Sequence, residues 1–476
     1  MNYEVIIGIE IHLELKTKTK MFSPALVDAN EKPNSLVSVI DMAFPGTLPC
    51  LNKEAVKLGL VSAFTLNCEV DSLLRFDRKN YFYSDLPKGF QITQQYHPLG
   101  KNGYVLIKVD GLEKQIRINR IHLEEDTAKQ FHEEDNTLID FNRSGIPLLE
   151  IVSEPDLRSG EQAMAYVEKL RSILYYLGVS DCKMEEGSLR CDVNVSLRPY
   201  GQLEFNNKTE IKNLNSINNI KRAVEAEIDR QSAILSDGGV VQQATCRYDE
   251  SLKTTVVMRK KEGVVDYKYF PEPNIPLIRL DSQFLQEAKD SIGELPDERL
   301  KRYLSLGLNE YDSSLLIQNK ELGDFFDLAK QDTKDYKILC NWLTGEFTAY
   351  ISKNQLDIKN SKITPKNMAE LVELIGEGVI SSKQAKMVFI EMDAGKNPKT
   401  IVKEKGLRQV TDVETIMKLV EQVIEENPMS VSDYHEGKDR ALGFLVGQVM
   451  KLSLKQANPA TASELLKKAL KLRREK

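Results

Sequence analysis

Between Ile7 and Lys16 apolar and polar residues alternate without interruption: Ile7, Ile9, Ile11, Leu13 and Leu15 stand against Gly8, Glu10, His12, Glu14 and Lys16. A period of two marks a strand with one face in a core, and slipping its pairing by one residue would bury every charge. This stretch therefore predicts both a sheet and its register, with Glu10, His12 and Glu14 projecting together from one side. Arg190–Arg198 repeats the pattern, with Cys191, Val193, Val195 and Leu197 facing the core and Arg190, Asp192, Asn194, Ser196 and Arg198 facing away. Thr209–Asn215 reads as a further polar-rich strand. Antiparallel sheets with one solvated face look like this, so water is one reading of the polar face and a cleft floor is the other.

The run Leu148-Leu149-Glu150-Ile151-Val152 suits a buried strand, yet Glu150 sits in its middle. A carboxylate there has to be neutralised, paired or metal-bound, because burying it bare costs several kcal/mol. Arg143, seven residues earlier, offers a structural ion pair; a metal ion is the alternative. Glu124, Glu125 and Asp126 precede this run. The apolar phase shifts by one residue between Ile116 and Leu123, which predicts a bulge and leaves open which of Glu124 and Glu125 faces the cleft. Three strands bearing Glu, His, Asp, Asn and Arg beside Glu150 fit a cleft floor better than a solvated surface.

At 476 residues the chain exceeds one core, so two or three domains are expected. Strand signals give way near Leu295 to helical periodicity, as in Tyr336–Tyr350 and Met368–Glu377. A second break between Gly395 and Val410 separates a last helical segment, predicting domains over 1–295, 296–408 and 409–476. In the first domain, helices are expected at Glu54–Leu66, from a capping box at Ser159 to Gly178, and at about Ile217–Leu235. The last segment reads as a small bundle with helices at Thr415–Ile424, Ala441–Met450 and Ala462–Leu472. Its cations Lys438, Arg440, Lys451, Lys455, Lys467 and Lys468 suit an RNA backbone, or simply a solvated face. With a formal net charge of −6, any nucleic-acid contact has to be local. The six cysteines form no C-x-x-C pair and read as reduced thiols, and no leader or apolar span precedes the first strand, so a cytoplasmic location is expected.

Nucleotide loops and hydrolase motifs are missing: there is no G-x-x-x-x-G-K-[ST], G-x-G-x-x-G after a strand, H-E-x-x-H or G-x-S-x-G. What remains is a face of carboxylates with one His, beside cationic, aromatic-rich stretches at Phe76–Gln91, Met258–Gly263 and Asp266–Pro273. That set suits a hard metal ion holding a nucleotide phosphate, with Arg78, Lys79 and Lys88 as phosphate contacts and an aromatic ring stacked on a base.

Gly8–His12, Asp77–Gly89, Leu123–Asp126, Asn142–Glu150 and Met184–Asn194 resemble GatB, the family of B subunits of the aspartyl/glutamyl-tRNA amidotransferases. Gly443–Lys451 is similar to that family's YqeY-like tail. The resemblance implies an α+β fold: a cradle-shaped antiparallel-sheet catalytic domain related to glutamine synthetase, an all-helical domain, and a tail contacting tRNA. It also implies ATP-dependent phosphorylation of Glu on tRNA(Gln) or Asp on tRNA(Asn), followed by amidation with ammonia. By carry-over Glu10, His12, Glu125 and Glu150 would act in catalysis and hold Mg2+ or Mn2+, with Glu124 as their neighbour. Relatives with paired cysteines bind zinc where this chain has Ser23, Ala25, Ser38 and Asp41, so no zinc is expected. No amidase signature is found either, which implies a separate amidase A subunit and a small C subunit in a heterotrimer. Two other functions stay open on the residues alone: a free-standing carboxylate–amine ligase, and a tRNA-binding adaptor whose carboxylates form structural ion pairs.

Overall fold

The computed structural model describes residues 3–28, 31–260, 266–407, 413–453, 457 and 459–474. The chain divides into two compact units, Met1–Pro296 and Asp297–Lys476. The first is built on a nine-stranded sheet. Its centre is the Tyr3–Glu14 strand, paired antiparallel to Leu189–Pro199 on one side and Pro147–Ser153 on the other. Outward from Pro147–Ser153 lie Leu112–Glu125, Gly100–Val109 and Glu69–Val70; outward from Leu189–Pro199 lie Thr209–Lys212, Ala244–Asp249 and Thr254–Lys260. Every neighbouring pair is antiparallel except Thr209–Lys212 with Ala244–Asp249. The whole is a mixed α+β architecture.

The alternation of the first strand explains the layering. Ile7, Ile9, Ile11 and Leu13 are enclosed, as are Ile121, Leu123, Leu149, Ile151, Cys191 and Val193 from its neighbours. Each fully buried aliphatic side chain contributes roughly 1.5–3 kcal/mol, so this one face outweighs any local preference. Helices Lys53–Thr65, Gly160–Tyr176 and Ile217–Ser236 complete the core. The last two cross at Gly160, where a Cβ would stand 2.8 Å from the Lys221 carbonyl oxygen. The opposite face of the sheet carries the polar residues.

Local details depart from the sequence expectations for physical reasons. The phase shift in the long strand falls at Asn119, because Val152 pairs with Arg120 and Ser153 with Ile118. Ser159 caps its helix by accepting from the Gln162 amide, but the reciprocal half of a capping box is missing. The Gln162 side chain instead accepts from Arg158 N and Lys114 Nζ.

The second unit is helical, with two separate apolar clusters. One is formed by residues from Tyr303 to Val402, including Phe326, Phe347, Met368 and Phe389. Within it the expected Tyr336–Tyr350 helix is broken into Tyr336–Trp342 and Thr348–Lys353 by a π-helical turn at Leu343–Phe347. The other cluster, from Ile416 to Leu470, is enclosed by helices Val413–Glu426, Asp439–Leu452 and Pro459–Arg474. A fourth helix, Pro428–His435, adds to the three that periodicity predicts; it has no fully buried residue and hence no apolar stripe to read. Among the described residues no helix is long and apolar enough to cross a membrane.

Candidate functional site

Register brings the key side chains together. His12 lies opposite Glu150, and Glu150 opposite His122, so three adjacent strands place these residues in one row on the polar face. Glu124, two residues beyond His122, returns to the same face. His12 Nε2 stands 3.5 Å from Glu150 Oε2 and 3.7 Å from Glu124 Oε1. On the other side His122 Nε2 stands 3.1 Å from Glu150 Oε2 and 3.7 Å from Glu124 Oε2, so both imidazoles face both carboxylates. Ligand atoms of His12, Glu124 and Glu150 all lie within 4.8 Å of one another. One imidazole nitrogen and two carboxylates suit a divalent cation.

Electrostatics tie the four groups into one unit. Burial alone would lower the His122 pKa, but Glu150 and Glu124 overcome it and raise the group to about 9. His12 behaves alike: burial lowers it, while Glu150 and Glu124 raise it above its ordinary value. Burial raises Glu150, yet His122 and His12 hold it well below the usual carboxylate range. The cluster thus keeps Glu150 ionised by charging its histidines, a role open to a metal ion. His122 Nδ1 is buried and has no hydrogen-bond partner among the described residues. His122 is hard to find in the sequence because its neighbours Ile121 and Leu123 mark only a strand; the one signal is its place two residues before Glu124.

Other expected residues fall nearby but outside this cluster. Glu10 shares the polar face and accepts from Asn194 Nδ2 at 2.9 Å. Glu125 points to the opposite side from Glu124, since neighbours in a strand alternate. It is enclosed, bonded to Lys88 and accepting from the Ile92 amide at 2.9 Å. The bulge at Asn119 therefore directs Glu124, rather than Glu125, toward His12 and Glu150. The Glu150–Arg143 ion pair does not form. Arg143 donates to the carbonyls of Thr127 and Ala128 at 2.9 and 2.8 Å, because the turn after Asn142 carries its side chain away. Asp126 is held by Arg190 at 2.6 Å, and beside it Glu14 is pushed up to about 7 by burial and by the Asp126 charge.

Of the cations expected to meet phosphate, Arg78 grips Glu272 with two prongs and lies 3.9 Å above the Phe90 ring centre. Lys88 is committed to Glu125. Lys79 lies 4.9 Å from the Tyr267 ring centre and has no carboxylate partner among the described residues. The corner holding Ser23, Ala25, Ser38 and Asp41 is closed by an ion pair, with the fully enclosed Lys20 donating to Asp41 at 3.0 Å and the Ser38 amide donating to Asp41 at 2.9 Å. In the second unit Lys438, Arg440, Lys451, Lys467 and Lys468 are exposed, Lys438 being paired with Asp433 at 2.7 Å; Lys455 lies outside the described residues.

Comparison with known proteins matches both units. Residues 5–286 match the profile described as the GatB/GatE catalytic domain, and residues 324–470 match the GatB domain. Fold and site thus define a catalytic sheet domain joined to a helical partner domain. Proteins named as the B subunit of aspartyl/glutamyl-tRNA(Asn/Gln) amidotransferase share 53% identity with this chain in Bacillus licheniformis, over 98% of each chain, and 50% in Lysinibacillus sphaericus, over 99% of each. The chain belongs to the GatB family.

Proposed function

We infer that this chain is the B subunit of a tRNA-dependent amidotransferase, a carbon–nitrogen ligase of protein biosynthesis that converts Glu on tRNA(Gln), or Asp on tRNA(Asn), to the amide. The observation carrying the chemistry is the His12–Glu124–Glu150 cluster on the polar face of the sheet, in a family whose members are named for that conversion. The side-chain carboxylate of the misacylated residue attacks the γ-phosphorus of ATP and ADP leaves, producing an acyl phosphate. Ammonia then adds to the acyl carbon, loses a proton, and phosphate departs with the bonding pair.

His12, Glu124 and Glu150 would hold Mg2+ or Mn2+, which when bound supplies charge neutralisation to the phosphoryl group. His122 donates to Glu150 and fixes its orientation, as outer partners of metal ligands do. Glu10 and Glu125 flank the site as positioning residues, each anchored by a partner of its own. Lys79 is left to meet phosphate, since Arg78 and Lys88 are already paired. A cradle related to glutamine synthetase, a YqeY-like tail that meets tRNA through Lys438, Arg440, Lys451, Lys467 and Lys468, ammonia from an amidase A subunit, a small C subunit and a cytoplasmic location complete the proposal.

The test is ATP hydrolysis by the assembled complex with Mg2+ and ammonium, with and without Glu-charged tRNA(Gln), comparing wild type with Glu124→Gln and Glu150→Gln. Hydrolysis that requires charged tRNA and is lost in both variants is expected. Normal turnover in both would move phosphoryl transfer away from this cluster.

A further inference from the structure

Beside the carboxylate cluster, four tyrosines from three stretches of chain meet in a continuous row. Tyr81 contacts Tyr267 with ring centres 6.0 Å apart, Tyr267 contacts Tyr269 at 6.0 Å, and Tyr269 contacts Tyr96 at 6.4 Å. Each pair is T-shaped, at 67–73°. In each T-shaped pair the edge of one ring meets the face of the other, so the three contacts cover three of the row's eight ring faces and leave five clear of a neighbouring tyrosine. Lys79 lies 4.9 Å from the centre of Tyr267 and 5.8 Å from that of Tyr81.

Strand pairing and hydrogen bonds attach the row to the site. Strand Asp77–Asn80 pairs with Phe270–Pro271 on one side and Phe90–Thr93 on the other. Asn80 further binds the stretch bearing the tyrosines, through its amide to the Tyr267 carbonyl at 2.9 Å and its side chain to the Lys268 carbonyl at 2.7 Å. The Phe90–Thr93 strand reaches the carboxylates directly: Thr93 Oγ1 donates to Glu124 Oε2 at 3.4 Å and Ile92 N to Glu125. Burial pushes the Tyr81 and Tyr269 hydroxyls up, and the charges of Glu124, for both, and of Glu150, for Tyr269, add to the effect. At the other end Tyr96 is 56% exposed. The row therefore lies along the cluster, with the ring of Tyr96 open to solvent.

Aromatic faces in series with an interleaved ammonium are the means by which proteins hold single-stranded nucleic acid, bases on the rings and phosphate near the cation. A lone adenine would need one ring, whereas a row of four suits successive nucleotides. We propose that Tyr81, Tyr267, Tyr269 and Tyr96, with Lys79, form a stacking platform for the single-stranded 3′ end of the charged tRNA, delivering its aminoacyl group to the carboxylate cluster. This rests on the function proposed above and names where that substrate's terminal nucleotides lie. The adenine of ATP shares the chemistry, and the test separates the two sources.

The assembled complex is titrated with fluorescent intact tRNA and with the same tRNA shortened by its single-stranded 3′ end, for wild type, Tyr96→Ala, Tyr267→Ala and Tyr267→Phe. Wild type is expected to bind the intact form about tenfold more tightly. Tyr96→Ala should shrink that preference while leaving the KM for ATP unchanged, Tyr267→Ala should shrink it too, and Tyr267→Phe should keep it because the ring remains. Tyr96 is exposed, so its replacement removes no core contact, and circular dichroism with complex assembly checks both alanine variants. An undiminished preference in the alanine variants, or none in wild type, overturns the platform. A raised KM for ATP with tRNA discrimination intact assigns the rings to the nucleotide and overturns the tRNA reading. If the wild-type complex shows no tRNA-stimulated ATP hydrolysis, the proposed function fails while the two-tRNA comparison still judges the platform.

Discussion

Replacing His122 by Gln tests whether the cluster's histidines balance its carboxylates. His122 is enclosed and faces Glu150 and Glu124, which together raise it from 6.5 to about 9. That interval corresponds to roughly 3 kcal/mol favouring the folded, protonated state. Between these values the folded chain binds the extra proton and the unfolded chain does not. The contribution is therefore complete below pH 6.5 and lost as the pH rises through about 9. Glu14, raised from 4.5 to about 7, has the same sign in a lower window: its contribution is complete below pH 4.5 and lost by about pH 7. The two effects separate because His122→Gln removes only the upper one. Trp342, the only tryptophan, belongs to the helical unit, so its fluorescence does not follow the sheet. Urea midpoints for hydrogen exchange in peptides from Leu112–Glu125 and Pro147–Ser153, measured by mass spectrometry without divalent cation, do follow it. Wild type should lose roughly 3 kcal/mol more than His122→Gln between pH 6.5 and 9. Equal pH dependence in the two proteins refutes the reasoning.

Three further outcomes follow from contacts elsewhere. Lys20→Met strands the buried Asp41 carboxylate and should cost about 3–5 kcal/mol in urea unfolding of the sheet unit, with Asp41→Leu in the same chain restoring most of it. Arg78→Lys loses the two-pronged contact with Glu272 and the stack on Phe90, and should lower stability by about 2 kcal/mol in the same assay despite keeping the charge. Gly103→Ala would place a Cβ 2.4 Å from Cys68 Sγ and 2.6 Å from the Leu66 carbonyl oxygen, so it should cost about 1–3 kcal/mol, while Gly293→Ala, which meets nothing within 4 Å, should be close to neutral in thermal unfolding.

Much of this protein is determined by sequence alone, because a strand's two faces are written in strict alternation. Ile7 to Lys16 and Arg190 to Arg198 declare which side chains enter the core, and burying the wrong set would cost far more than any local preference. Helices with an apolar stripe, such as Gly160–Tyr176 and Val413–Glu426, are legible for the same reason; Pro428–His435, which has no stripe, is not. Tertiary structure alone decided which strands lie side by side. The row His12–Glu150–His122 exists only because residues from three distant stretches share one register, and nothing local announces that Glu150 will meet histidines rather than Arg143. The bulge at Asn119 is visible as a shift in phase, but its consequence is not. Only pairing against Val152 and Ser153 shows that Glu124 turns toward the cluster and Glu125 toward Lys88. Likewise the cationic, aromatic-rich stretches around Tyr81 and Tyr267 are separate in sequence, and become one row only when a three-stranded sheet joins them, since pairing between strands is a long-range contact that no local pattern encodes.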